Sequence, residues 1–219
     1  MSDRRFLLVF AGYWLLGLVS NAVRTSPTAP APLRNAVALA TLLALIALIA
    51  FLVDGVRRGR YRGPDLGFAI DNTRALALVG LTALYAAVAL FRLPLTGLDR
   101  PVFLALAILA VIVEEILFRP LLIGVLRRML AATERPALWA VVLAALCWAA
   151  GHLPSKPFTQ VIGIFLGGLL FGGLYVFSAS NVVGFVVHAS ANGGGVGALV
   201  TLGLYLALAA LLRSRPVTP

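Results

Sequence analysis

Residues 36–53 read AVALATLLALIALIAFLV, with no charged side chain in the run. As a helix, such a stretch can cross a hydrocarbon core about 30 Å thick, which takes roughly 20 apolar residues. Similar runs recur along the chain, and the expected spans are 6–23, 35–53, 75–93, 101–127, 137–153, 158–177, 181–192 and 194–212. Composition agrees. The chain is 61% hydrophobic and 12% charged, whereas an average soluble domain is about a quarter charged. The expected fold is all-α and integral to the membrane, with about eight transmembrane helices in one polytopic domain over 1–219. Its core is placed at 101–212.

The seventh span is too short to cross alone. It is expected to be a broken or tilted helix, or half of a re-entrant pair with the eighth; lipid tolerates such irregularity only where protein or water covers the backbone. The first span follows Asp3-Arg4-Arg5 and is long for the apolar region of a signal peptide, so a retained helix is expected. Residues 24–34 read as a loop, and 54–74 as the largest polar connection. Gly163, Gly167, Gly168, Gly172 and Gly173 in the sixth span read as a surface for close helix packing.

The net charge of +10 is carried beside and between the apolar runs. With eight crossings and the N-terminus in the cytoplasm, the inner segments hold Arg4, Arg5, Arg57, Arg58, Arg60, Arg62, Arg74, Arg127, Arg128, Arg135, Arg213 and Arg215. The outer segments hold only Arg24, Arg34, Arg92, Arg100 and Lys156. That asymmetry favours both termini in the cytoplasm; the expected location, on the compactness of the chain, is a bacterial inner membrane. The charge pattern suits anionic lipid rather than nucleic acid. Cys147, the single cysteine, lies in an apolar run and reads as a packing residue.

Polar residues inside these runs are the informative ones. The chain has eight acidic residues and two histidines; Glu114 and Glu115 sit within the fourth span, and His152 and His188 lie in or at the end of others. Ionisable groups in hydrocarbon cost several kcal/mol each and usually mark function. Glu115 and Arg119 are four apart with the acid first, so they can pair on one helix face. Glu114 lies about 100° around the helix, which turns it toward chemistry instead. His152 shares a face with Trp148, four residues earlier. His188 and Asn192 are likewise four apart, and Gly193, Gly194 and Gly195 follow, where a helix can break. At about 1.5 Å per residue, Glu114, His152 and Asn192 are expected at similar depth, with His188 somewhat shallower.

One Glu, two His and one Asn buried together admit two hydrolytic uses. Glu114 can act as general base on water, with a histidine orienting that water and His188 and Asn192 donating to the oxyanion. Alternatively, Glu114, His152 and His188 can ligate zinc, which then activates the water. The first use needs no cofactor. Neither an HEXXH helix nor a Gly-x-Ser-x-Gly elbow is present. Two other classes stay open: a membrane bacteriocin-immunity or peptide-binding protein without catalysis, and a small proton-coupled transporter. An inverted repeat that would favour the transporter is not evident.

EEILFR at 114–119, WAAGH at 148–152 and HASAN at 188–192 together resemble the three motifs of the CPBP family, the CAAX prenyl endopeptidases and bacterial Abi-type proteins. That pattern is Glu-Glu-x-x-x-Arg, aromatic-x-x-x-His and His-x-x-x-Asn, in this order. The resemblance implies an intramembrane endopeptidase acting on a peptide or a membrane-anchored protein tail. Glu114 would be the base and His152 would help activate water. His188 and Asn192 would stabilise the oxyanion, and Glu115, Arg119 and Trp148 would support the site. The family's mechanism is described both as zinc-dependent and as metal-free. Two positions depart from the pattern: Pro120 stands where Gly is usual, and Trp148 where Phe is commoner. A proline at 120 predicts a bend beside the site.

Overall fold

The computed structural model describes residues 3–92 and 101–213. The end of the third expected span at 93, and Arg100 and Arg215 of the charge count, lie outside the described residues. The described residues are almost wholly helical. Helix α1 spans Asp3–Thr25, α2 Ala31–Arg57, α3 Thr73–Arg92, α4 Pro101–Ile116, α5 Ile123–Met129, α6 Pro136–Ala150, α7 Phe158–Ser178 and α8 Val182–Arg213. A short 3₁₀ turn, Pro64–Leu66, sits in the polar connection before α3. The stretches Phe6–Thr25, Ala31–Arg57, Thr73–Leu90 and Phe158–Ser178 are long and apolar enough to cross a membrane. Their exposed Leu39, Leu43, Leu81 and Leu84 are what lipid would cover.

The fourth expected span runs from α4 into α5 through a π-helical turn, Leu117–Leu122, that contains Pro120. Proline has no N–H to give to the turn before it, and the wider π turn relieves the clash of its ring. The predicted bend thus takes the form of a locally widened helix. The fifth expected span ends earlier than its sequence suggests. α6 stops at Ala150, with Gly151 as its C-cap, and His152 lies in the turn beyond. Beyond that cap the chain tightens onto i→i−3 bonds, His152 N to Ala149 O at 3.0 Å and Leu153 N to Ala150 O at 3.1 Å, ahead of Pro154.

The chain divides into two compact units: one comprises Met1–Arg60 and Leu122–Leu170, the other Tyr61–Leu121 and Phe171–Pro219. In the first, side chains of α1 bond backbone carbonyls at the end of α6. Trp14 Nε1 donates to Cys147 O at 2.8 Å, Asn21 Nδ2 to Gly151 O at 3.0 Å and Thr25 Oγ1 to Pro154 O at 2.9 Å. At the other end of α1, Arg128 grips Asp3 through two bonds of 2.6 and 3.0 Å. The hydrogen bond from Arg128 holds the Asp3 carboxyl below its ordinary range. The stabilisation this gives is present above the usual carboxylate value and is lost as pH falls through the lowered one. At this exposed site it amounts to well under about 1 kcal/mol. In the sixth span Gly168 is in tight contact: a Cβ there would meet the Ala145 Cβ at 3.0 Å, whereas Gly163, Gly167 and Gly173 face open space.

In the second unit the seventh and eighth expected spans form two arms of α8, residues 182–192 and 195–213, on either side of Gly193 and Gly194. Gly194 has φ 58° and ψ −149°, a conformation open essentially to glycine alone. The arms fold back on one another. Ser180 Oγ and Tyr205 Oη are 2.7 Å apart, although 25 residues separate them; a straight helix would hold such residues about 38 Å apart. The Phe185 and Tyr205 rings lie 5.8 Å apart, and a Cβ on Gly197 would come within 2.5 Å of Ala189 O. These contacts pair antiparallel segments about the glycine bend, so α8 is a helical hairpin whose two ends lie on one side. Tyr205 Oη also donates to Gly67 O and Ala69 O, each at 3.1 Å, which fastens the connection before α3 to the hairpin. Asn72 caps α3, accepting from Ala75 N at 2.8 Å, and donates to Ser178 O at 3.0 Å.

Replacing Gly194 with alanine should cost about 1–3 kcal/mol, because the bend needs its backbone conformation. The check is the unfolding midpoint in detergent micelles, which should fall clearly for Gly194→Ala and little for Gly163→Ala, whose position is open.

Candidate active site

The first arm of α8 carries Asn181, Gly184 and His188 at i, i+3 and i+7, on one stripe of its surface. Asn181 is the residue before the helix, and its carbonyl accepts the first helical bond, from Phe185 N at 3.0 Å. This stripe meets the end of α4 at Glu115. His188 Nδ1 lies 3.1 Å from Glu115 Oε1. Asn181 Nδ2 donates to Glu115 Oε2 at 3.2 Å and to Glu115 O at 3.1 Å. Arg119, one turn farther along the same helix, places Nε 3.4 Å from Oε2. The approach is close enough to require glycine at 184: a Cβ there would come within 2.6 Å of Asn181 Oδ1 and closer still to the Glu115 carboxylate.

Burial separates the two adjacent acids. The side chains of Glu115 and Arg119 are each 1% exposed, and Arg119 also stacks over the Phe171 ring at 5.9 Å. Glu114 is 31% exposed, and its Oε2 is 4.0 Å from His188 Nε2. The imidazole is therefore set between two carboxylates, one buried behind it and one open in front. Because Nδ1 bonds the Glu115 carboxylate, it carries the proton, and Nε2 is the atom turned to Glu114. Ser190, two residues on, is tied to Tyr85 of α3 at 2.6 Å, which anchors this part of the arm. Asn192 follows one turn after His188 at an exposed position beside the bend.

Of the residues expected from sequence, Glu114, Glu115, Arg119 and His188 come together here, with Asn192 on the same arm. Trp148 and His152 belong to the other unit. There His152 Nδ1–H donates to Trp148 O at 2.9 Å, and the two rings meet edge to face at 5.7 Å. That bond leaves Nε2 as the accepting nitrogen of a neutral His152. Sequence reasoning passed over Asn181. Its signal was the seven-residue spacing to His188, two helical turns on one face. A cleft between Asn72–Arg74 and Val176–Ala179 is lined by none of these residues.

Glu114 Oε2 and His188 Nε2 could serve as two ligands of one metal ion. A catalytic zinc normally takes three protein ligands, and among the described residues no three His, Cys, Asp or Glu side chains are grouped to hold a metal.

Cutting the Arg119 side chain back to alanine would leave the Glu115 carboxylate buried without its guanidinium. The loss should be about 3–5 kcal/mol. Glu114→Gln, at a partly open position, should change stability by no more than about 0.5 kcal/mol. Thermal or denaturant unfolding of both variants in the same detergent would show whether support and chemistry divide between Glu115 and Glu114 in this way.

Residues 96–194, which contain all three motifs, match the model of the family described as type II CAAX prenyl endopeptidase, Rce1-like. No curated protein and no solved structure matches the chain. The family supports peptidase activity and a membrane-associated protein as substrate. With its long apolar helices, the chain is an integral membrane protein whose residues 96–194 are similar to the Rce1-like family of CAAX proteases.

Proposed function

We propose that the chain is an intramembrane endopeptidase that hydrolyses a peptide bond in a membrane-associated peptide or protein tail, with Glu114 as general base. The observation that carries this reading is the pairing of Glu114 with His188 at 4.0 Å, in front of a buried carboxylate that orients the imidazole. Glu114 takes a proton from water, and the resulting hydroxide attacks the carbonyl carbon of the scissile bond. For stabilising the oxyanion formed we assign Asn192 Nδ2 and, in the protonated imidazole, His188 Nε2–H. Collapse of the tetrahedral intermediate breaks the C–N bond, and Glu114 returns its proton to the leaving amine. To His152 we assign help in activating water, a role supported by its place in the motif order. Glu115 and Arg119 act as support, and Trp148 buttresses His152.

The hairpin of α8 bears on topology. A helix that doubles back returns its end to the side where it began, which supports Arg213 on the same side as residue 181. With the six crossings expected before it, that side would be the one that holds the N-terminus. With arginines concentrated at 4–5, 57–62 and 127–128, this supports both termini facing the cytoplasm. Reporter fusions at each end should give cytoplasmic signals. An external signal from only one of them would remove the hairpin's second crossing.

The decisive experiment is cleavage of a membrane-anchored peptide library by the protein in liposomes. Glu114→Gln should reduce kcat by about 10²–10⁴-fold while the protein stays folded. Equal cleavage by wild type and Glu114→Gln would exclude Glu114 as the base.

A further inference from the structure

We infer that Asn181 is a positioning residue for hydrolysis: it fixes the Glu115 carboxylate, which in turn sets the ring and tautomer of His188. The inference rests on the peptidase reading only for its kinetic consequence; the positioning itself can be read without turnover. An asparagine just ahead of a helix ordinarily turns its side-chain oxygen back onto the first helical N–H groups. Asn72 does this at the start of α3. Asn181 occupies the same position at the start of α8 and is 1% exposed, yet its amide is turned away, toward α4. Nδ2 bridges the Glu115 backbone carbonyl and Oε2, and Oδ1 has no hydrogen-bond partner among the described residues. The reverse orientation of the amide would place oxygen against the carboxylate, so the donor must face Glu115.

The effect on the carboxylate follows from its two oxygens. Oε2 is held by Asn181 and Arg119, and Oε1 is left for His188 Nδ1. Arg119 alone sets one contact at 3.4 Å from a neighbouring turn of the same helix. The last torsion of a carboxylate is broad and roughly two-fold, so restraints from more than one element narrow it. Asn181 supplies the second restraint from the opposite element and ties α4 to the arm that carries His188. The backbone of Asn181 is itself fixed, since its N–H donates to Gly67 O at 2.8 Å. The neighbouring Ser180–Tyr205 bond stiffens the same corner without touching Glu115.

The chain has two histidines, so ¹⁵N-histidine labelling gives two imidazole spin systems, and His188→Gln assigns them. In Asn181→Ala and in the similarly sized Asn181→Leu, neither of which can donate, the His188 nitrogens should shift and broaden while those of His152 stay in place. Ser180→Ala, which loosens the corner, should lower the unfolding midpoint and leave both histidines unmoved. On a cleaved substrate, the Asn181 variants should lose about a hundredfold in kcat, with KM little changed. An unmoved His188 signal in either folded Asn181 variant overturns the proposal, as does an equal shift in Ser180→Ala. If His188 shifts as expected but wild type and Glu114→Gln are equally inactive, the peptidase reading fails and the positioning role stands.

Discussion

Everything distinctive about this chain is arranged around one buried carboxylate. Glu115 has been withdrawn from solvent almost completely, and a carboxylate so placed is tolerable only when its oxygens are compensated. Three side chains do this: Arg119 from its own helix, and Asn181 and His188 from the first arm of α8. That requirement explains several sequence choices at once. Gly184 must lack a side chain, Asn181 must forgo its capping role, and His188 must stand two turns later on the same stripe. Glu114 differs from Glu115 by one step around the helix, and that step separates a buried carboxylate from a partly exposed one.

Much of the architecture was legible in the sequence because membrane spans obey a strong local rule. The helices Phe6–Thr25, Ala31–Arg57, Thr73–Leu90 and Phe158–Ser178 lie within a few residues of spans expected from apolar run length alone, and Pro120 announced an irregularity beside the motif. The glycines at 193–195 announced a break, and the short seventh span follows from it. The exact form of each irregularity was less accessible. Widening over Leu117–Leu122 and a full reversal at Gly194 depend on how neighbouring side chains pack, and run length does not carry that information. α6 shows the same limit on a smaller scale: apolar character continues to Leu153, but the helix has already ended at Ala150.

The site was legible in its components and illegible in its wiring. Pairing of Glu115 with Arg119 could be read from spacing because both lie on one helix. The contact of Glu115 with Asn181 joins positions 66 apart, and no local pattern reports it. His188 illustrates the consequence. Its spacing to Asn192 suggested a pair of equivalent donors, whereas its Nδ1 is engaged by Glu115 and only Nε2 faces Glu114. The two nitrogens of one ring thus have separate tasks, and only the fold distinguishes them.

The brevity of the first arm of α8 has a bearing on lipid. Residues 182–192 rise only about 16 Å, roughly half the thickness of a hydrocarbon core. With its start at one edge of the hydrocarbon, the arm would bring Asn192 and the glycine bend only to mid-depth. Acyl chains packed there would meet amide groups they cannot solvate, so the bilayer must dimple or admit water locally. The protein would in this way carry its own hydrated notch, set by the length of one helical arm, and the leaflet it indents would border that notch.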